Sequence, residues 1–280
     1  MLKQRVITAL VLLAVLLPAL FASAAWPFAV LTLFFIATAG WEWGRLNGAG
    51  QAESLVLAGV VALVCAGALW AGWTQSPPPQ VWWLAMGVWV LGGAWAMKAG
   101  PSGWQPIPAP LRWGLGVVLL CTAWLALASA RSTGLNFILS VFCLAWAADI
   151  AAYFGGRAFG RHKLAPAISP GKSWEGVWSG MLGVLLLALG WIWLDRSRQL
   201  DSASLYSKLH AGLGPFGLLL ALLFLTAMSV VGDLVESLVK RSAGAKDSSA
   251  LLPGHGGVLD RVDALLPLFP IALALSSLEP

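Results

Sequence analysis

The stretch SLVKRSAGAKDSSALLPGHGGVLDRVD, residues 237–263, concentrates charge in an otherwise apolar sequence. Its 27 residues include four cations, three carboxylates and one histidine, and apolar runs lie on both sides of it. Charge of both signs beside a membrane span is costly to order, so such a stretch usually has a function. It therefore marks the predicted functional part of the chain, at one edge of a membrane.

The rest of the sequence is typical of a polytopic membrane protein. Of its 280 residues, 59% are hydrophobic and only 10% are charged, which lies outside the usual range of soluble domains. The apolar runs predict an all-α fold with about nine transmembrane helices. These runs are 6–21, 26–39, 55–73, 81–97, 113–130, 135–154, 177–194, 213–231 and 264–275. Residues 1–134 are predicted to form an N-terminal transmembrane region and residues 135–280 a catalytic region, within one functional unit.

The first apolar run has two interpretations. Two cations precede it, and Ala22-Ser23-Ala24 follows it with the spacing of a signal-peptidase site. A cleaved secretory signal is therefore an alternative. Because further spans follow at once, we favour a retained first helix.

The sequence argues against disulfides, structural zinc and nucleic-acid binding. Cys65, Cys121 and Cys143 each lie inside an apolar run without CxxC spacing, so we expect free, lipid-buried thiols. No tract of Lys and Arg with interleaved aromatic residues is present, and we expect no nucleic-acid partner.

Positive charge is unevenly distributed between the two sides of the predicted membrane. With nine spans and the N-terminus inside, 13 of the 17 Lys and Arg residues lie on the inner side. The outer side holds only Arg131, Arg196, Arg198 and Lys208. By the positive-inside rule, we expect a protein of the cell's inner (plasma) membrane whose charged motifs, and hence its active site, face the cytoplasm.

A second polar segment lies at the end of the sixth run. Asp149 lies within that run, and Tyr153 shares its helix face because the two residues are four apart. A carboxylate inside a span needs a partner or water, and it is usually functional; a structural hydrogen bond between helices is the alternative. The chain then enters a Gly-containing basic loop with Arg157 and Lys172.

This loop contains Gly171-Lys172-Ser173, the end of a P-loop motif. That motif also needs a glycine five residues before Gly171, where this chain has Pro166, and we predict no strand before the loop. We therefore reject a P-loop NTPase. We expect a flexible loop that approaches an anion through its backbone, Lys and Arg, with a plain positive-inside loop as the alternative.

The carboxylates of the charged stretch suit a metal-dependent phosphate site. Asp260 and Asp263 are three residues apart, which on a helix puts both on one face, and Asp233 precedes the same stretch. Converging carboxylates are typical ligands of Mg²⁺. The cations that could neutralise phosphate beside the metal are Lys240, Arg241, Lys246 and Arg261. A set of loop salt bridges is the alternative.

Residues 237–263 resemble the C-terminal signature of the phosphatidate cytidylyltransferases, also called CDP-diacylglycerol synthases. Residues 149–153 and 169–176 are similar to upstream motifs of that family, whereas the first five spans match only in general character. The resemblance implies a Mg²⁺-dependent reaction of CTP with phosphatidic acid that gives CDP-diacylglycerol and pyrophosphate. It also implies a homodimer in the lipid bilayer.

Pattern and resemblance together assign roles to individual residues. The predicted metal ligands are Asp149, Asp233, Asp260 and Asp263. The predicted catalytic residues are Asp233, Lys240, Arg241, Lys246, Asp247, His255 and Arg261. The predicted substrate-binding residues are Arg157, Lys172 and Ser237.

Two other functions stay open at this point. One is a CTP-dependent enzyme that acts on another phosphorylated lipid, since the acceptor's tails would contact helices of uninformative sequence. The other is a transporter, which would carry charges near mid-bilayer in several helices, often with inverted repeats. A CDP-alcohol phosphatidyltransferase is rejected because its DGxxAR pattern is missing.

Overall fold

A computed structural model describes residues 2–278 of this chain, with side chains from residue 6 onward. Lys3 and Arg5, two of the predicted inner-side cations, fall outside the described side chains. The described part consists of helices and one short hairpin. In chain order these are α1 Leu2–Leu20, α2 Trp26–Leu46, α3 Gln51–Trp70, α4 Gln80–Trp104, α5 Ala109–Thr133, α6 Leu135–Phe159, β1 Lys163–Ala165, β2 Ser169–Ser173, α7 Trp174–Ser197, α8 Leu205–Ser242, α9 Leu259–Val262 and α10 Leu265–Ser276.

The structure confirms an α-helical, multi-pass membrane protein but not nine spans. Within the described residues, five helices, α3, α5, α6, α7 and α8, are long and apolar enough to cross a bilayer. Helix α10 has 12 residues and is about 18 Å long at ~1.5 Å per residue. A hydrocarbon core of about 30 Å is too thick for it to cross alone.

Helix α8 is longer than the apolar run at 213–231 predicted. It spans 38 residues, because it begins before the apolar run, at Leu205, and continues past the end of that run. The break at Gly214 has φ of 68°, which glycine tolerates, and Pro215 follows it. Ser237 to Arg241, the start of the charged stretch, therefore lie in the last turns of α8.

The N-terminal and C-terminal regions are interleaved around α10. This helix is almost wholly apolar and buried, and it packs against α8, α5, α4 and α6. Helix α8 in turn packs against α4, α7 and α6. The helices that carry the charged motifs are therefore held in place by helices from residues 1–134.

Helices α6 and α7 pack closely through small residues. A Cβ on Gly180 would lie 2.9 Å from the carbonyl oxygen of Ala148, and one on Gly176 would lie 3.0 Å from that of Ala152. Glycine lets the two backbones approach at these positions, as in membrane helix pairs with small residues at the interface. This contact fixes the position of Asp149 relative to the start of α7.

A β-hairpin replaces the flexible loop predicted between α6 and α7. Strands β1 and β2 pair antiparallel, and Ser173 then caps α7 by accepting a hydrogen bond from Gly176 N at 3.2 Å. The carboxylate of Glu175 accepts hydrogen bonds from the N–H groups of Arg161 and His162. The absence of a strand was thus a wrong reason to reject a P-loop, whereas Pro166 remains a valid one.

The three cysteines are free thiols, as predicted. Cys65 is buried, and the other two are partly buried. The Cys121 Sγ lies 3.9 Å from the Val61 carbonyl oxygen, which it contacts as a weak donor.

Candidate active site

A polar cavity of about 420 Å³ lies between α6, β2, α7 and α8. Four residues singled out in the sequence line it: Asp149, Arg157, Lys172 and Asp233. Tyr153 also lines it, which confirms that Asp149 and Tyr153 share a helix face. Three stretches of the chain, 148–157, 171–180 and 226–233, therefore meet at one site.

One face of α6 supplies three of these side chains, at intervals of four residues. Asp149, Tyr153 and Arg157 follow one another along the helix, and the Arg157 Nη1 donates to the Tyr153 hydroxyl at 3.3 Å. Arg157 lies in the last turn of α6, where a cation is also favoured by the helix dipole. This face lines the cavity with a carboxylate, a phenol hydroxyl and a guanidinium.

The central contact of the cavity is an ion pair between β2 and α8. The Lys172 Nζ lies 2.6 Å from the Asp233 Oδ2, and the two side chains are 26% and 31% exposed. The Ser237 hydroxyl donates to the other Asp233 oxygen at 3.3 Å. An ion pair this accessible contributes little to stability, so both charges are available to a ligand.

Asp263, at the end of α9, interacts electrostatically with the Lys172–Asp233 ion pair. Burial and then the negative charge of Asp233 raise the pKa of Asp263 to about 7, although the Ala264 N–H and the charges of Lys172 and Lys240 oppose this shift. Asp149 also interacts electrostatically with Lys172 and Asp233. Asp233 thus contacts the Lys172 ammonium, and Asp149 and Asp263 interact with it electrostatically.

The donor chemistry of these carboxylates fits a hard divalent cation. Their oxygens are the ligands that Mg²⁺ prefers, and the raised pKa of Asp263 reports an uncompensated negative charge that a cation would relieve. Within residues 2–278, however, no three His, Cys, Asp or Glu side chains are close enough together to hold one metal ion. The Lys172 ammonium occupies the position beside Asp233.

Asp260 has a different environment from Asp263, three residues later. Its Oδ1 accepts from the Lys240 Nζ at 2.6 Å, and its Oδ2 accepts from the N–H groups of Ser248 and Gly257 and from the Ser248 hydroxyl. Burial opposes ionisation, but these hydrogen bonds outweigh it and lower the pKa of Asp260 to about 2. This carboxylate organises the loop of residues 243–258, and its assignment as a metal ligand stays a prediction.

A buried carboxylate on α2 holds the same loop, and the sequence analysis missed it. Glu42 is wholly buried. Its oxygens accept from the N–H groups of Val258 and Leu259 at 3.0 and 2.7 Å and from the hydroxyls of Ser248 and Ser249 at 3.2 and 2.6 Å. The only sequence signal was an acidic residue between Trp41 and Trp43 in an apolar run. Glu42 and Asp260, with their donors, are called the loop anchor below.

Glu236 is a second residue that the sequence analysis missed. It is buried on α8, and its Oε2 lies 2.6 Å from the Lys240 Nζ, an ion pair without hydrogen-bond geometry. Lys240 therefore bridges Glu236 and Asp260. In this structure Lys240 connects α8 to the loop anchor rather than facing the cavity.

The remaining predicted residues lie outside the polar cavity. Arg241 donates to the carbonyl oxygens of Ile168 and Ala245, at 3.5 and 3.4 Å. Lys246 and Asp247 are exposed on the loop, and the Nδ1 of His255 is buried without a hydrogen-bond partner in the described part of the chain. Arg261 lines a separate, apolar cavity. Their catalytic roles stay predictions.

Comparisons with known proteins agree with the resemblance seen in the motifs. The model of the Cytidylyltransferase family matches residues 3–278. A phosphatidate cytidylyltransferase of Pseudomonas aeruginosa is 39% identical over 282 residues, which cover 98% of this chain and 97% of that protein. Those of Haemophilus influenzae and Brucella suis are 47% and 45% identical over 137 and 133 residues, about half of this chain and 44% of each relative. The predicted resemblance is confirmed, and the chain belongs to the cytidylyltransferase family.

Proposed function

We propose that this chain is a phosphatidate cytidylyltransferase, which makes CDP-diacylglycerol and pyrophosphate from CTP and phosphatidic acid. The observation that carries the proposal is the polar cavity at the end of α6, α7 and α8, where Lys172 and Arg157 face carboxylates. Relatives that bear this name match nearly the whole chain. Membership of an enzyme family also argues against the transporter alternative.

The reaction joins two anions, so its main barrier is electrostatic. An oxygen of the lipid phosphate attacks the α-phosphorus of CTP, a new P–O bond forms, and the bond to the β-phosphate oxygen breaks. Pyrophosphate leaves with the electron pair of that bond. The attacking oxygen is already anionic, and the protein therefore has to align the two phosphates and neutralise their charge.

Lys172 and Arg157 are placed to do this. Both line the cavity from opposite walls, on β2 and α6, and neither is locked in a buried ion pair. When a phosphate enters, the Lys172 ammonium can exchange its contact with Asp233 for a contact with a phosphate oxygen. Ser237 then remains as the hydrogen-bond donor to Asp233, so this carboxylate keeps one partner throughout.

We further propose that Mg²⁺ is required and that Asp149, Asp233 and Asp263 supply its ligands, which requires these side chains to move closer together than they lie in this structure. When bound, a divalent cation supplies positive charge to the phosphate oxygens during the displacement. Asp260 fits this role less well, because both of its oxygens already accept hydrogen bonds from the loop and Lys240. Metal binding would displace Lys172 from Asp233 toward the phosphates.

We place the site on the cytoplasmic side of the inner (plasma) membrane. The Thr8 hydroxyl near the start of α1 donates to the Pro253 carbonyl oxygen at 3.0 Å, so the chain's basic start and the signature loop lie on one side. The positive-inside bias assigns that side to the cytoplasm, where CTP is available. A homodimer remains a prediction, and cross-linking of the protein in native membranes tests it.

The experiment that tests this proposal is pyrophosphate release by the purified protein in detergent with CTP, phosphatidic acid and Mg²⁺. We expect release that requires all three components and a CDP-lipid product in equal amount. Replacing Mg²⁺ by EDTA tests the metal separately from the substrates.

The same assay distinguishes the other possibilities. If the protein binds CTP but releases pyrophosphate only with a different phosphorylated lipid, the acceptor is wrong and the nucleotide site stands. A folded protein that neither binds CTP nor releases pyrophosphate contradicts the proposal.

A further inference from the structure

A second cavity, of about 240 Å³, lies beside α9 and is lined by α1, α2, α5, α6 and α10. Its walls are leucine, isoleucine, phenylalanine and other apolar side chains, with two polar exceptions, Thr32 and Arg261. The Thr32 hydroxyl already donates to the Phe28 carbonyl oxygen at 2.7 Å. The Trp124 indole N–H donates to the Ala29 carbonyl oxygen at 3.1 Å. Arg261 is the one cation of this lining, and the indole N–H of Trp146 is the other donor that it can offer a ligand. We name this space the Arg261 cavity.

The guanidinium of Arg261 has no hydrogen bond or ion pair with any described side chain or backbone group. It is exposed at the cavity, whereas Lys240, on the other side of Asp260, is engaged by two carboxylates. A cation beside apolar walls favours an anion, and a guanidinium can hold a phosphate with two parallel hydrogen bonds. The cavity thus matches a ligand with an anionic phosphate and an apolar tail.

The Arg261 cavity lies next to the polar cavity along two elements. On α6, Trp146 lines the Arg261 cavity and Asp149, one turn later, lines the polar cavity. At α9, Arg261 lines the former, while Asp263 interacts with Asp233 of the latter. The two cavities are therefore neighbours, joined by α6 and by the end of α9.

We propose that the Arg261 cavity binds the acyl chains of the lipid phosphate substrate and that Arg261 contacts its phosphate. This inference rests on the proposed function and adds that the two substrates bind in different cavities. CTP binds at Lys172 and Arg157, and the lipid binds from the opposite side. The α-phosphate of CTP and the lipid phosphate meet between the two cavities, at Asp149, Asp233 and Asp263.

Another apolar cavity, of about 630 Å³, lies between α4, α7 and α8 and shares Val177 and Val230 with the polar cavity. Its cation, Lys98, lies on α4, a helix that carries no residue of the polar cavity or of the 237–263 signature. A phosphate at Lys98 would have no neighbouring catalytic carboxylate on the same helix. The charge pattern therefore favours the Arg261 cavity.

Two adjacent leucines on α1 provide a matched test. Leu16 lines the Arg261 cavity, whereas Leu17 does not line it and is 42% exposed. We expect Leu16→Trp to raise the KM for dipalmitoyl phosphatidic acid about tenfold, in line with the discrimination an apolar pocket gives. The KM for CTP should stay unchanged, the KM for dihexanoyl phosphatidic acid should change little, and Leu17→Trp should behave like the wild type.

Arg261 is tested by the same split between substrates. Arg261→Ala should raise the KM for both lipids at least tenfold without raising the KM for CTP, and Arg261→Lys should restore part of the loss. The proposal is overturned if Leu16→Trp and Leu17→Trp behave alike, or if Arg261→Ala raises the KM for CTP instead of the KM for the lipids. It is also overturned if only Ala227→Phe, in the Lys98 cavity, impairs use of the long-chain lipid. Failure of the proposed function is a different result, since the wild type would then make no CDP-lipid from either phosphatidic acid.

Discussion

The loop anchor and the polar cavity both contain acidic side chains, and both lie at the same end of the molecule. The two regions differ in how many hydrogen-bond and ion-pair partners their carboxylates have. Each carboxylate of the loop anchor, Glu42 and Asp260, contacts four donors, and the Ser248 hydroxyl is shared between the two. In the polar cavity, Asp233 has one ammonium and one hydroxyl as partners, and the pKa of Asp263 is raised to about 7.

This contrast distinguishes carboxylates with a structural role from carboxylates that can take part in the chemistry, within the same signature. Carboxylates with all their lone pairs occupied hold the backbone in place, whereas incompletely satisfied carboxylates can still bind a cation or respond to substrate. Asp260 and Asp263 belong to opposite groups although only two residues lie between them.

The largest effect is expected for the polar cavity. Asp263→Asn and Asp233→Asn should each lower turnover by about a thousandfold or more, because a charge needed at the displacement is lost. The proteins should keep the size-exclusion profile of the wild type, and the unfolding temperature of Asp263→Asn should be at least as high as that of the wild type, because the buried charge is gone. Pyrophosphate release measures the loss, and near-normal activity in either variant would contradict the proposed role.

The next largest effect is expected for the loop anchor, and here it falls on stability as well. Glu42→Ala leaves two buried N–H groups and the Ser249 hydroxyl without their acceptor, which should cost about 3–9 kcal/mol at ~1–3 kcal/mol per unsatisfied group. The loop at 243–258 should become sensitive to protease before the helices unfold.

A matched control for Glu42 is Glu53→Ala at the exposed start of α3, where the carboxylate accepts one bond from the Gly50 N–H. That change should lower the unfolding temperature only slightly and leave the loop protected. If Glu42→Ala and Glu53→Ala have equal effects, Glu42 does not anchor the loop.

Lys172→Met should have a smaller effect, on substrate use rather than on folding. Its ion pair with Asp233 is accessible and contributes little to stability, so the unfolding temperature should change little. We expect kcat/KM for CTP to fall about 10- to 100-fold, in keeping with the loss of one charge-assisted phosphate contact. A fall in stability with unchanged kinetics would move Lys172 to the structural group.

The smallest expected effect is a change in the stability of the fold with pH when no metal is present. Since the pKa of Asp263 is raised from 3.8 to about 7, the fold binds its proton more tightly than the unfolded chain does, and stability should fall as pH rises from about 4 to about 7. Asp260 has a lowered pKa of about 2, so its contribution is present above about pH 4 and is lost as pH falls toward 2.

Thermal unfolding in EDTA at several pH values measures this dependence. Asp263→Asn should flatten the decline toward neutral pH and leave the acid limb unchanged. A decline that persists in Asp263→Asn would assign it to another group.

Much of the site followed from the sequence, because its signals are local. Asp149 and Tyr153 share a helix face through their spacing, and charged residues in an apolar chain mark the functional end of the molecule. Helix α8 was predicted too short because apolarity ends at Val231, whereas the helix continues on the packing of Leu234, Val235 and Leu238. The partners of Glu42 are 206 to 217 residues away, and nothing near Glu42 in sequence indicates them.

That separation has a consequence for the order in which the protein is made. Helix α2 is synthesised and inserted long before Ser248, Val258 and Leu259 leave the ribosome, so the Glu42 side chain must keep water or a proton until the last part of the chain arrives. Completion of the active site is therefore one of the final steps of biogenesis. A chain truncated before residue 248 would retain α2 with an acidic group in its interior and no donors to receive it, a feature by which membrane quality control could recognise an unfinished enzyme.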